Sequence, residues 1–107
     1  MEKQDKLYMS IYNDFYGGLL TDYQSRMISM YYDEDMSLAE IGKECGISPQ
    51  GVRDALIRAE KTLTTMESKL GLVKKTLEMK RLLLEFEKVA TDEQKKEIKQ
   101  ALAILEE

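Results

Sequence analysis

Residues Ser37 to Lys61 read SLAEIGKECGISPQGVRDALIRAEK, and few folds can accommodate that order of side chains. Ser37 with Glu40 three positions later is a capping box: the serine oxygen takes a backbone N–H while the glutamate reaches back to the cap. A short helix carrying Leu38, Ile41 and Cys45 on one face is expected to follow. Gly46 closes it, because the turn needs a φ > 0 backbone that glycine adopts without steric cost. Ser48 caps the next helix, and Pro49 takes its first position, where a missing N–H costs nothing. Val52, Leu56, Ala59 and Leu63 then recur at helical spacing as its inner face. Gly42 lies in the middle of the first helix, where the second crosses closest and a small residue is required.

Two such helices joined by such a turn are a helix-turn-helix, whose second helix in many proteins enters the DNA major groove. With the inner stripe set aside, Gln50, Arg53, Asp54, Ile57, Arg58 and Lys61 face outward. Ser48, Gln50, Arg53, Asp54, Arg58 and Lys61 are therefore the candidate DNA-binding residues. Glutamine can pair bidentately with adenine and arginine with guanine, and each pair discriminates by about 1–3 kcal/mol. Asp54 can accept from a cytosine amine but repels phosphate. The competing reading of this face is a solvated surface with an Asp54–Arg58 ion pair at i, i+4, worth about 0.3–0.5 kcal/mol.

The rest of the chain also reads as helix. Leu7, Ile11 and Phe15, with Tyr8 and Tyr12 alongside, form the expected inner face of a first helix that Gly17-Gly18 ends. Thr21 with Gln24 is a second capping box. Tyr23, Met27, Met30 and Tyr31 are the stripe of the helix it opens. Asp33-Glu34-Asp35 stops that helix and should fray it, since carboxylates oppose the dipole at a C-terminus. The spacing of Leu63, Met66, Leu70, Val73 and Leu77 continues the second motif helix as a coiled-coil-like seam, with Gly71 either breaking it or sitting inside at about 1 kcal/mol relative to alanine. Met79, Leu83, Phe86 and Ala90 mark a further stripe. A third capping box, Thr91 with Gln94, opens a last helix with Ile98, Ala101, Leu102 and Leu105 inward.

Composition narrows the function classes. The 107 residues suffice for one all-α domain, 1–107, with a helix-turn-helix core over 22–70 and a C-terminal helical extension over 72–107. The single Cys45 excludes an internal disulfide, and its place before the turn predicts a core thiol. The chain has no histidine, which removes the commonest zinc ligand and general base. No phosphate-cradling glycine loop or carboxylate pair stands out, so neither an enzyme nor a metal or cofactor site is expected. An N-terminus without a signal sequence and the lack of a long apolar run point to a cytoplasmic protein without a membrane span. The net charge of −4 comes from residues 1–36, which carry three basic and seven acidic side chains. Residues 37–61 carry four of each, so the reading segment is neutral and DNA affinity should be weak or partner-dependent. The helix from Leu63 to Phe86 holds more apolar surface than one short neighbour can cover, which predicts a homodimer.

The stretch GGLLTDYQSRMISMYYDEDMSLAEIGKECGISPQGVRDALIRAEKTL resembles region 4 of bacterial sigma factors and, more closely, the YlxM family of small bacterial proteins. The specific pieces are Tyr16 to Thr21, Tyr31 to Ile41 and the run from Gly46 to Leu63. The likeness implies a sigma region 4-like, wingless helical bundle that binds DNA. It also implies a regulatory role with signal recognition particle components, since genes of the family commonly neighbour those of that particle. The alternative is a protein-interaction module of the same targeting pathway, with the helix-turn-helix kept as a scaffold. The family usually carries arginine where this chain has Pro49 and alanine where it has Gly51, so one phosphate or base contact is missing here.

Overall fold

The computed structural model describes residues 3–106 and contains, among them, six α helices and no strand. These are α1 (Lys3–Tyr16), α2 (Asp22–Ile28), α3 (Leu38–Cys45), α4 (Pro49–Leu70), α5 (Leu72–Glu87) and α6 (Asp92–Leu105). Two compact units divide the chain, Met1–Gly71 and Leu72–Glu107. The all-α architecture with a helix-turn-helix and long C-terminal helices matches the expectation from the sequence.

All three capping boxes form. The backbone N–H of Gln24, Glu40 and Gln94 donates to Thr21 Oγ1, Ser37 Oγ and Thr91 Oγ1 at 3.1, 3.1 and 3.2 Å, and each N3 side chain accepts from its cap N–H. Ser48 Oγ accepts from the Gly51 N–H at 3.0 Å and opens α4, with Pro49 at its first position. Each cap contributes about 1 kcal/mol.

In the first unit α4 is the central helix, and α1, α2 and α3 all pack against it. Val52, Leu56, Ala59 and Leu63 are buried as the periodicity requires, and they meet Met27, Ile28, Met30 and Ile41 in one core. Burying each large apolar side chain there stabilises by about 1.5–3 kcal/mol. The turn is set by a close approach. A Cβ on Gly42 would lie 2.6 Å from the Ile47 carbonyl oxygen, inside the hard-contact limit for two backbones. Gly46 adopts φ 72°, and the Ile47 N–H donates back to the Gly42 oxygen at 2.9 Å.

The structure corrects several expectations. On α1, Leu7 and Phe15 are 62% and 39% exposed, whereas Asn13 and Tyr16 are buried. Polar partners decide the rotation. Asn13 Nδ2 donates to the Ser25 carbonyl at 3.2 Å and to Ser29 Oγ at 3.3 Å, and its Oδ1 accepts from Ser25 Oγ at 3.0 Å. The Tyr16 hydroxyl donates to the Glu67 carboxylate on α4. Leaving these groups unpaired in the interior would cost more than exposing one leucine.

The end of α2 does not fray at Asp33-Glu34-Asp35. It widens into a π turn over Ser29–Asp33, closed by the Glu34 N–H donating to the Ser29 carbonyl at 3.1 Å. Asp35 then takes a left-handed φ of 55°, and the Met36 N–H returns to the Met30 carbonyl. The widened turn buries Tyr32 along with Met30, while Tyr23, expected inward, is exposed. Cys45 is half-buried and not a core thiol, because α3 ends at that residue. The seam from Leu63 to Leu77 is interrupted: Gly71 adopts φ 62° and caps α4, so Leu70 and Leu77 lie on different helices and both are exposed.

Replacing Gly42 by alanine should lower unfolding stability by about 2–3 kcal/mol, the range for overpacking against an atom that cannot move aside. Gly18→Ala, where a Cβ meets nothing within 4 Å, should change it by less than about 0.5 kcal/mol. Urea denaturation of the two variants checks the contrast, and equal losses would place the constraint elsewhere.

Candidate nucleic-acid interface

At 3.6 residues per turn, α4 turns Val52, Leu56, Ala59 and Leu63 inward and sends Gln50, Asp54, Arg58 and Lys61 to the opposite side. Arg53 and Ile57 lie on one flank. Gln50, Arg53, Asp54, Ile57, Arg58 and Lys61 are all exposed, so α4 brings the sequence-derived set together on one solvent-facing surface.

Their engagements differ. Gln50 Nε2 donates to Asp54 Oδ1 at 3.0 Å, so these two side chains hold each other, and the Asp54–Arg58 pair of the competing reading does not form. Arg53, Arg58 and Lys61 form no ion pair with any described residue. Ser48 serves as the helix cap. A helix N-terminus attracts phosphate through its unsatisfied N–H groups. Here Pro49 has none and Gly51 gives its own to Ser48, which leaves the Gln50 N–H in the first turn. A Cβ on Gly51 would sit 3.3 Å from Ser48 Oγ, so an alanine at this position would press lightly on the cap.

Sequence reasoning missed a cavity on the Arg53 flank. It has a volume of about 290 Å³ and is lined by Tyr31, Leu38, Arg53, Leu56, Ile57 and Glu60. Tyr32 donates its hydroxyl to Glu60 Oε1 at 2.8 Å and stacks edge-on against Tyr31 at 5.0 Å between ring centres. Burial pushes the Glu60 carboxyl above its ordinary pKa, and the Tyr32 hydrogen bond offsets part of that rise. One signal was available in the sequence: Arg53, Ile57 and Glu60 are spaced by four and three and must share a flank. The contributions of Tyr31 and Leu38 depend on the π turn, which local patterning does not announce.

The chain over residues 2–103 matches the family model UPF0122, described as "Putative helix-turn-helix protein, YlxM / p13 like". The chain belongs to this family. It is 54% identical over 77 residues to the UPF0122 protein of Caldanaerobacter subterraneus subsp. tengcongensis and 47% identical over 77 residues to that of Desulforamulus reducens. Each match covers 72% of this chain and 66% of the relative, so the matched stretch spans about two thirds of those proteins. The UPF0122 protein of Bacillus thuringiensis is 38% identical over 95 residues, covering 87% of this chain and 86% of the relative. The YlxM resemblance is thereby established for the family, and α3, the turn and α4 are its helix-turn-helix. No helix among the described residues is long and apolar enough to cross a membrane.

The raised Glu60 pKa carries a pH signature. Between the unfolded and the raised folded value the folded state holds more protons, so this group's contribution to stability falls as pH rises through that window. Glu60→Gln keeps an acceptor for Tyr32 and removes the titration. Its stability relative to the parent should therefore be greater at about pH 7 than at about pH 4. Chemical denaturation of both proteins at the two pH values measures the difference, and a pH-independent gap would show that Glu60 titrates as a solvated carboxylate.

Proposed function

We propose that this chain is a DNA-binding regulatory protein whose α4 lies against duplex DNA, weakly as a single copy, and that it works in the cytoplasm within the signal recognition particle targeting pathway. One observation carries the DNA reading: Arg53, Arg58 and Lys61 stand exposed, with no ion pair to any described residue, on the helix that this motif presents to a groove. Three cations available for phosphate or base contacts make a small footprint. Asp54 works against them, and the α4 N-terminus offers few donors. Specific complexes of useful affinity bury more surface and neutralise more phosphates than one such helix supplies, so a second copy or a partner completes the binding unit. The placement in the targeting pathway is supported by the YlxM likeness.

A second reading is favoured by the cavity beside Arg53. Ile57 is 51% exposed next to it, and an exposed isoleucine gains nothing from phosphate. In this reading the helix-turn-helix is a scaffold, and the Tyr31–Ile57–Glu60 flank contacts a protein component of the same pathway. Neither reading needs catalysis or a cofactor.

Titration of labelled random-sequence duplex at two salt concentrations separates the two. Binding at about 50 mM salt should weaken steeply toward about 200 mM as counterion release is lost. Arg53→Ala and Arg58→Ala should each weaken it by about tenfold, within the 1–3 kcal/mol range of a single contact. Asp54→Asn should tighten it. No duplex binding at the lower salt rejects the DNA reading; loss of protein capture in Ile57→Asp, with DNA binding intact, would support the second.

A further inference from the structure

The second unit holds the feature that the helix-turn-helix does not explain. Among the described residues of Leu72–Glu107, only Val73 and Ile98 are fully buried apolar side chains. On α5, the half-buried positions Thr76, Lys80, Leu83 and Glu87 mark one face, and α5 and α6 pack together. The stripe expected from the sequence, Met79–Leu83–Phe86–Ala90, splits. Leu83 and Ala90 turn partly inward, while Met79 and Phe86 are about half exposed. Leu82, equally exposed, falls into line with them, and Val89, more exposed still, lies in the turn just beyond the end of α5. Met79, Leu82 and Phe86 are spaced three and four on α5, the pattern of one helix's share of a coiled-coil interface. Beside Phe86 opens a groove of about 320 Å³ between α5 and α6, floored by Leu83, Ile98 and Ala101. Exposed Ile104 stands on the same helix as Ala101.

We propose that this face of the α5–α6 hairpin is covered by the same face of a second copy of the chain, an isologous contact in which the seam residues of each copy enter the groove of the other. The surface fits a self-partner on three counts. Met79, Leu82, Phe86, Val89 and Ile104 expose on the order of 600 Å² per copy, close to the about 800 Å² that each partner buries in a standard stable interface once rim atoms are added. Residues 72–107 carry eight basic and eight acidic side chains, so two copies meet without net repulsion and a polyanion finds no field to follow. At the seam's edge Glu78 pairs with Arg81 at 2.6 Å and Glu85 with Lys88 at 3.6 Å, so these charges cancel locally, and Glu97 and Gln94 give the groove its polar margin. Dimerisation through α5 and α6 supplies the second copy that the proposed DNA reading calls for, but it rests on the apolar seam and holds or fails without any DNA.

Sedimentation velocity of the full chain, without nucleic acid, tests it. At concentrations up to about 100 μM the chain should sediment at twice its monomer mass. Met79→Lys with Phe86→Lys should return it to the monomer mass with an unchanged far-UV helical signal, since both positions are already half in water. Leu77→Lys with Leu84→Lys, on exposed positions outside the seam, should leave the dimer intact. If the seam variant loses helicity, the cross-linking arm decides. A Leu82→Cys variant in a Cys45→Ser background should form an interchain disulfide on oxidation, because position 82 is the middle one of Met79, Leu82 and Phe86 and an isologous contact of that seam brings it near its own symmetry mate. A parent chain that stays monomeric, a dimer that survives the seam lysines, or a Leu82→Cys chain that yields no covalent dimer overturns the proposal.

Discussion

The first unit depends on a single backbone contact, the approach of the Ile47 carbonyl to Gly42. A Cβ at position 42 would reach 2.6 Å from that oxygen, and neither partner is a side chain that can swing away. The contact fixes how tightly the chain doubles back after α3. It brings Gly46 into the left-handed region and directs Ser48 to begin α4 one short turn later. Everything downstream inherits that direction. The inner stripe of α4 meets α2 and α3 only because the turn delivers it at this angle. The outer residues become a coherent exposed face for the same reason. The geometry of the candidate face is thus a consequence of a steric exclusion and not of any attraction among its residues.

What could be read from the sequence was what local chemistry decides. Capping boxes at Thr21, Ser37 and Thr91, the proline at the start of α4 and the glycine turns act over three or four residues, and all formed as their types demand. The stripe of α4 was legible because every one of its buried members is apolar. The first helix was misread for the opposite reason. Its buried face is built from Asn13 and Tyr16, whose partners Ser25, Ser29 and Glu67 lie far along the chain, and an apolarity pattern favours Leu7 and Phe15 instead. The π turn at Ser29–Asp33 has no local signature, yet it holds Tyr32, whose hydroxyl reaches Glu60, and Tyr31, which lines the cavity beside Arg53. The site was legible as a set of exposed positions. The bond between Gln50 and Asp54 was not, since i, i+4 spacing offered Asp54 both Gln50 and Arg58.

That bond affects the balance of charge on α4 less than it affects geometry. A hydrogen bond from a neutral amide leaves the Asp54 carboxylate charged, so the outer face still carries one anion among three cations. What changes is availability. Gln50 must give up an existing partner before it can read a base, and the exchange returns only the difference between two hydrogen bonds of similar strength. Arg53, Arg58 and Lys61 have no such partner to lose. Binding by this face should therefore be led by phosphate contacts, which are strong at low salt and indifferent to sequence. Specificity, if it is to be high, has to come from something other than one copy of α4.

The second unit bears on that requirement. A hairpin of 36 residues with two fully buried apolar side chains cannot bury enough surface to be stable by its own core. Its apolar seam is an unfavourable surface in water, and a second hairpin of the same shape can cover it. Linking two weak reading heads through such a contact changes binding by concentration and not by new chemistry, because the second head then binds as an intramolecular event at an effective concentration in the millimolar range. On this argument the neutral motif, the lone Asp54 and the proline that removes one N–H from the start of α4 are tolerable in a paired protein. They would be disabling in a solitary one. A chain with a strongly basic α4 would have no need of the seam, and a chain without the seam would need more cations on α4.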